Sequence, residues 1–517
     1  MKDSKFFQRF VRPVFILFSF LVFAFCHFEN GIAMPKDRIS TERSSFISKS
    51  VSGLETEKTK KVTIYTTTAS GLSLKKTNTN VCSSGIIPAK AVALNPLQKF
   101  QKMDGFGAAI TYSSAYNLLK MKAEDRKKFL EETYSETVGY GFSYVRISIG
   151  CSDFSSKEYT CCDKRGLENF CLTTDEMDYV IPVLKEILAI NPKVKIIGSP
   201  WTCPRWMKVK DLKNKMPYDN WTDGHINPEY YSDYSMYFVK WIQAFEKEGI
   251  KIYAVTPQNE PLNHGNCAST YLPWNEEADF VKVMAACFKR NKLDTKIYVF
   301  DHNYNYDNVS SQNDYPINVY NAMGNTEGSE YVVGAAYHNY GGSNQELDDI
   351  HQKRPDKKLI FSEASIGTWN NGRELSKSLL RDMQEIALGT VNRWCSAVIV
   401  WNLMLDMRRG PNLDGGCQTC YGAVDIDKDY KTIHKNSHYY VIAHLAAVVR
   451  PDAVRIGLMG ATLNEAGLSG AAFKNPDGSF AVIFCNDNAS ERVLTITDGE
   501  KHFSCQLPPY SVVSCKW

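Results

Sequence analysis

The sequence predicts an α/β protein: a (β/α)8 TIM barrel with an attached all-β sandwich built from the N- and C-terminal segments of the chain. Three observations predict it. Through the middle of the chain, eight short apolar runs alternate with stretches whose apolar residues recur at helical spacing. After the helical pattern "HYYVIAHLAAVVR" (residues 438–450) the text consists of strands and turns. That tail is too short for a complete sandwich, and a β-rich stretch ahead of the barrel supplies the missing strands.

The elements follow in order. Residues 1–33 read as a signal peptide. Lys2, Lys5, Arg9 and Arg12 precede the apolar run "VFILFSFLVFAFC", which is short for a membrane span, and "GIA" offers small residues for cleavage. The expectation is an exported protein, whether secreted, periplasmic or lysosomal, with an uncleaved anchor or lipidation at Cys26 as the lesser alternative. Residues 34–60 are a polar linker without periodicity. Residues 61–100 open the sandwich, where "KVTIYTTTASGLSL" alternates and turns at Gly71. Residues 101–450 form the barrel, with strands predicted at 105–110, 143–149, 194–200, 252–257, 296–301, 332–338, 359–364 and 397–402. An open doubly wound sheet is the rival, but it calls for a glycine-rich turn after the first strand, and "GFGAAI" lies within that strand. Residues 451–517 complete the sandwich, with "NPDGS" marking a hairpin.

Composition bounds the function. With 517 residues, 44% hydrophobic and 23% charged, the chain is globular. A net charge of +3 gives no reason to expect nucleic acid or an anionic membrane as partner. Aromatic residues at 12% suit a surface that stacks on rings, although most of them serve cores and interfaces. Among the 15 cysteines, the clusters Cys161/Cys162/Cys171, Cys417/Cys420 and Cys485/Cys505/Cys515 are the candidate places for disulfides. Cys417 and Cys420 have C-x-x-C spacing, but without a second pair zinc is the lesser reading there. No other ligand spacing calls for a metal, and no cofactor is expected. Asn220, Asn308 and Asn488 head glycosylation sequons.

Two predicted strands end in glutamate: the fourth at Glu260 in "TPQNEP" and the seventh at Glu363 in "FSEAS". Reactive groups collect at the C-terminal ends of barrel strands, and strands four and seven face each other across the mouth. Two carboxyls so placed can flank one glycosidic bond, one donating a proton and the other ionised. A separation of roughly 5–5.5 Å gives retention and roughly 6.5–9.5 Å gives inversion. Either glutamate alone would be read as a salt bridge or helix cap. Together, with Trp201, Tyr337, Tyr340 and Trp401 on nearby strand tips, they point to chemistry.

The stretches "GFGAAIT", "RISIGCSDFS", "GSPWTCPRWMK", "TPQNEP", "AYHNYGG" and "FSEAS" resemble glycoside hydrolase family 30, the glucosylceramidase-like family, from about Met103 to the C-terminus. The resemblance implies a retaining mechanism with Glu260 as acid/base and Glu363 as nucleophile. It implies that Arg146 holds the nucleophile ionised, that Trp201, Asn259 and Trp401 contact sugar, and that His338 and Tyr340 stand beside the nucleophile. Asp301 and His302, after strand five, match more loosely. One position departs: an aspartate that would bind glucose hydroxyls is expected after "GAAIT", and Tyr112 stands there. A subsite without that carboxylate favours an open cleft over a closed glucose pocket. The leading expectation is a retaining β-glucosidase of the glucosylceramidase type. The alternatives are an endo-β-1,6-glucanase and, from another class, a carbohydrate-binding barrel without turnover. The partner is a β-glucoside, either a glucosyl lipid or a β-glucan, with peripheral membrane contact only if the substrate is a lipid.

Overall fold

The structure is a computed structural model that describes residues 61–83, 87–265, 267–304, 309, 311–460, 463 and 465–517. The predicted signal peptide and linker, and the sequon at Asn308, lie outside the described residues. Among those described, no helix is long and apolar enough to cross a membrane.

Eight parallel strands close into a barrel. In chain order they are Gly105–Ala109, Tyr144–Ser148, Lys195–Ser199, Ala254–Val255, Lys296–Asn303, Val332–His338, Lys358–Glu363 and Cys395–Asn402. Each coincides with a run read from the sequence. The fourth keeps only two residues in ladder geometry, because its chain turns toward the mouth: the Thr256 amide still donates to Gly198, whereas the Asn259 amide donates to Pro200. Amphipathic helices such as Tyr231–Lys247 and Trp274–Arg290 cover the barrel, their buried faces carrying Trp241, Phe245, Phe280 and Met284.

The barrel interior is layered by the two-residue period of the strands. An apolar layer contains Tyr144, Ile197, Ala254, Ala336 and Ile360. Two residues further along the same strands come Arg146, Ser199, Thr256, His338 and Ser362, all fully buried. In the fifth strand the layer residue is Tyr298, and two residues on stands Phe300. There a register irregularity between Phe300 and His302 inserts one residue, and Asp301 joins the polar layer instead.

The sandwich draws on both ends of the chain. Strand Lys61–Thr68 pairs with Ser511–Lys516, and Val92–Lys102 pairs with Val454–Met459 and Arg492–Thr497. The "NPDGS" turn joins Leu468–Lys474 to Phe480–Asn486 as a hairpin. Val62, Leu94, Phe484, Ile496 and Val513 fill the core. Helix Ser437–Ala446 is buried along its whole length. From it, His444 reaches into the sandwich, with its ring nitrogens 2.8 Å from the Ser514 and Thr67 hydroxyls.

Of the three cysteine clusters expected to hold disulfides, one does. Cys417 and Cys420 form a disulfide, so neither is available to a zinc ion. The other two clusters hold free thiols. Cys161 Sγ faces Glu176 and Cys162 Sγ faces backbone carbonyls, so the adjacent thiols are turned to different acceptors. Cys505 and Cys515 stand 3.6 Å apart without a bond.

Burial lowers the His444 imidazole from 6.5 to about 3. The folded chain therefore keeps it neutral while the unfolded chain protonates it, and stability present above pH 6.5 is lost as the pH falls toward 3. Replacing His444 by Gln removes this titration. Melting temperatures followed from neutral pH down to about pH 4 should fall less steeply for the variant than for the wild type. His302 and His438, each lowered to about 4 by burial, leave a residual slope in both proteins.

Candidate active site

Glu363 ends the seventh barrel strand, and Glu260 sits on the loop that follows the fourth. The Glu260 backbone is left-handed, with φ of 46°, and its amide donates to the Asp301 carbonyl at 3.0 Å. Phe300 and Asp301 are left-handed as well, at 73° and 57°. Such backbones cost residues with a side chain on the order of 1–3 kcal/mol each and persist where surrounding contacts hold them. A carboxylate oxygen of Glu260 lies within 4.8 Å of one on Glu363.

Beneath them the polar layer forms a chain of alternating charge. Arg146 Nη1 donates to Glu363 Oε2 at 2.5 Å, and Nη2 donates to Asp301 Oδ2 at 2.8 Å and to Asn259 Oδ1 at 2.7 Å. Asp301 also accepts from the hydroxyls of Ser199, Thr256 and Ser362. His338 Nε2 stands 3.1 Å from Asp301 Oδ1, and its Nδ1 stands 3.1 Å from Glu260 Oε1. Asn263 donates to the other Glu260 oxygen at 2.9 Å, and the Tyr340 hydroxyl donates to Glu363 Oε1 at 2.9 Å.

These contacts set the protonation states. Burial opposes ionisation of Asp301, but the Arg146 charge and the His338 hydrogen bond hold its carboxyl far below the usual range. Burial would also neutralise His338, yet Glu363, Asp301 and Glu260 together push it up to about 9. Glu260 is penalised by burial too, and the hydrogen bond and charge of His338 bring it down to about 2. Glu363 is raised by burial, against the nearby charges of His338 and Arg146. The proton nearest Glu260 therefore rests on His338 Nδ1.

A cavity of about 380 Å³ opens over the two carboxyls, large enough for a sugar ring. Of the residues singled out from sequence, Trp201, Asn259, Glu260, Tyr340, Glu363 and Trp401 line it. The Trp201 and Trp401 rings stack 5.2 Å apart, and the Arg146 guanidinium lies 5.1 and 5.3 Å from their centroids. Arg146 and His338 lie below the cavity and hold the carboxyls from underneath; neither lines it.

Tyr112 is placed elsewhere, which corrects the expectation for that position. Thr111 caps the following helix by accepting from the Ser114 amide, so Tyr112 becomes the first helical residue. Its ring packs against Tyr179 and Tyr116, at 4.8 and 5.9 Å, outside the cavity lining. An acidic side chain does line the cavity: Asp153, on the loop after the second strand. Its Oδ1 is buried without a hydrogen-bond partner. Burial and the Glu363 charge push its carboxyl up to about 8. The signal was present in "RISIGCSDFS", an acid just past a strand end, the same rule that found the glutamates. His302, matched loosely in sequence, lines the cavity from the strand-five tip, the Cys417–Cys420 disulfide adds to the wall, and so do Asn263 and Trp369, which sequence did not mark.

Comparison with known proteins agrees with this geometry. The glycosyl hydrolase family 30 TIM-barrel domain matches residues 103–449, and the family's β-sandwich domain matches residues 452–515. A solved endo-β-1,6-glucanase is 57% identical, with a TM-score of 0.85, over 88% of this chain and 99% of its own. An endo-1,6-β-D-glucanase of Aspergillus fumigatus is 29% identical over 80% of this chain and 84% of its own length. The lysosomal acid glucosylceramidase of Mus musculus is 26% identical over 82% and 83% respectively. With both domain matches lying on the observed barrel and sandwich, the chain belongs to glycosyl hydrolase family 30 and is a glycoside hydrolase.

Proposed function

We propose that this enzyme cleaves β-1,6-linked glucan with retention, by double displacement between Glu363 and Glu260. The observation that carries the mechanism is the separation of their carboxylate oxygens, within 4.8 Å, which leaves no room for the water that inversion requires between the basic carboxylate and the anomeric carbon. Glu363 attacks the anomeric carbon and forms a glycosyl ester as the bond to the leaving oxygen breaks. Arg146 and Tyr340, donating to its two oxygens, fit the carboxylate form that attacks. Glu260 protonates the leaving oxygen. Its proton comes from His338 Nδ1, 3.1 Å away, once substrate has displaced water from around the carboxyl. In the second half, Glu260 takes a proton from water, the hydroxide adds to the anomeric carbon, and Glu363 departs as carboxylate.

The glucan reading is supported by the 57% identity to an endo-β-1,6-glucanase. The cavity wall supports it too: Asn263, Ser269, Asn303 and Ser365 offer polar groups suited to sugar hydroxyls. The nearby segment at residues 207–221 exposes Asn214, Lys215 and Met216, a mixed and basic surface poorly suited to acyl chains. Hydrolysis of a glucosyl lipid, the glucosylceramidase-type reading, is the second candidate, supported by similarity to the murine enzyme and to a putative glucosylceramidase of Caenorhabditis elegans, 26% identical over 83% of this chain. Export is part of the proposal and is supported by the basic and apolar pattern of residues 1–33.

Product analysis separates the substrates: β-1,6-glucan should yield a ladder of oligosaccharides, whereas release of monosaccharide from glucosylceramide with no action on glucan would favour the lipid. Replacing Glu363 by Gln should abolish turnover. Replacing Glu260 by Gln should lower kcat on glucan by about 10²–10⁴-fold and spare aryl β-glucosides with good leaving groups. Equal losses on both substrates would contradict the assigned roles. Replacing Asp153 by Asn should raise KM or lower kcat for glucosides without lowering the melting temperature, since its Oδ1 has no protein partner to lose.

A further inference from the structure

Glu277 belongs to helix Trp274–Arg290, outside the barrel wall, and is fully buried without lining the cavity. Its Oε1 accepts from the Phe300 amide at 3.0 Å. Its Oε2 lies 2.5 Å from the Tyr315 hydroxyl, which is also 2.5 Å from the Leu272 carbonyl. The Leu272 amide in turn donates to the Pro261 carbonyl at 2.7 Å. One carboxyl is thus linked to two backbone segments, one directly and one through a relay. The first is the bulge at Phe300 and Asp301, which turns Asp301 toward Arg146 and His338. The second, reached through Tyr315 and Leu272, is the loop carrying Glu260. The Glu260 amide bond to the Asp301 carbonyl closes the two segments on each other.

Packing alone does not account for an acid here. Burial pushes its carboxyl up to about 7, so an apolar side chain of similar size would avoid a desolvation cost. What an apolar side chain would lack is the pair of acceptors. The backbone it supports is the left-handed trio of Glu260, Phe300 and Asp301, which needs hydrogen bonds from outside to persist.

We propose that Glu277 is a positioning residue for the hydrolytic reaction, fixing Asp301 and Glu260 relative to each other from behind the barrel wall. The proposal rests on the reading of the site as a β-glucoside hydrolase. Three variants test it, with kcat, KM and melting temperature measured on an aryl β-glucoside. Glu277→Gln keeps an oxygen for the Phe300 amide and a polar group facing Tyr315, and should retain kcat within about threefold. Glu277→Met removes both acceptors at similar volume and should lower kcat by about 10²-fold with KM little changed, the size of effect expected from a displacement of about 1 Å in the reacting groups. Tyr315→Phe cuts only the branch to Leu272 and should lose kcat several-fold. If Glu277→Met fails to fold, the several-fold loss in Tyr315→Phe, beside the preserved kcat of Glu277→Gln, supports the proposal. Wild-type kcat in Glu277→Met or Tyr315→Phe, whatever the melting temperature, overturns it, as does a loss in Glu277→Gln equal to that in Glu277→Met. A wild-type enzyme inactive on every β-glucoside would instead overturn the reading of the site, and this proposal with it.

Discussion

The buried pair of Arg146 and Asp301 is the constraint on which the rest of the site depends. Both side chains are fully buried, in the middle of a barrel whose lower interior is apolar. A guanidinium there cannot shed its charge, so it must be surrounded by acceptors. Asp301, Glu363 and Asn259 supply them. Asp301 then needs compensation of its own and finds it in three hydroxyls and His338. Removing one member of such a pair leaves a buried charge uncompensated, at a cost of about 3–5 kcal/mol. Stability and reactivity are therefore joined: the network that keeps the barrel mouth folded is the same one that places a proton on His338 beside Glu260.

The strands of this barrel were legible as eight short apolar runs set between helical stretches. Five of the eight have an apolar residue that faces inward and, two residues later, a polar one: Tyr144 and Arg146, Ile197 and Ser199, Ala254 and Thr256, Ala336 and His338, Ile360 and Ser362. Once the strands were placed, the strand-end rule led to Glu260 and Glu363. The sandwich was legible for a different reason: neither terminal stretch had enough strands to close a sandwich by itself.

What could not be read were features in which the chain leaves its period. The extra residue at Phe300 moves Asp301 into the layer that a strict two-residue count would assign to Phe300. The placement of Tyr112 outside the cavity and of Asp153 within its wall escaped the sequence for a related reason. Both follow barrel strands, and only the cap at Thr111, which starts a helix at once, turns one of them outward while the longer loop leaves the other facing the cavity. The free thiols show the same limit, since proximity along the sequence, as for Cys161 and Cys162, says nothing of where each sulfur points.

The interleaving of the sandwich has a consequence for how this protein comes into being. Strand Lys61–Thr68 precedes the barrel in the chain, and its partner Ser511–Lys516 follows it. During synthesis the early strand therefore waits, edge unpaired, while the entire barrel emerges between the two. Emergence of the late strand, and not any local folding event, is the moment at which that edge is first covered, so a chain cut short within the barrel keeps an adhesive β-edge that the folded molecule does not show.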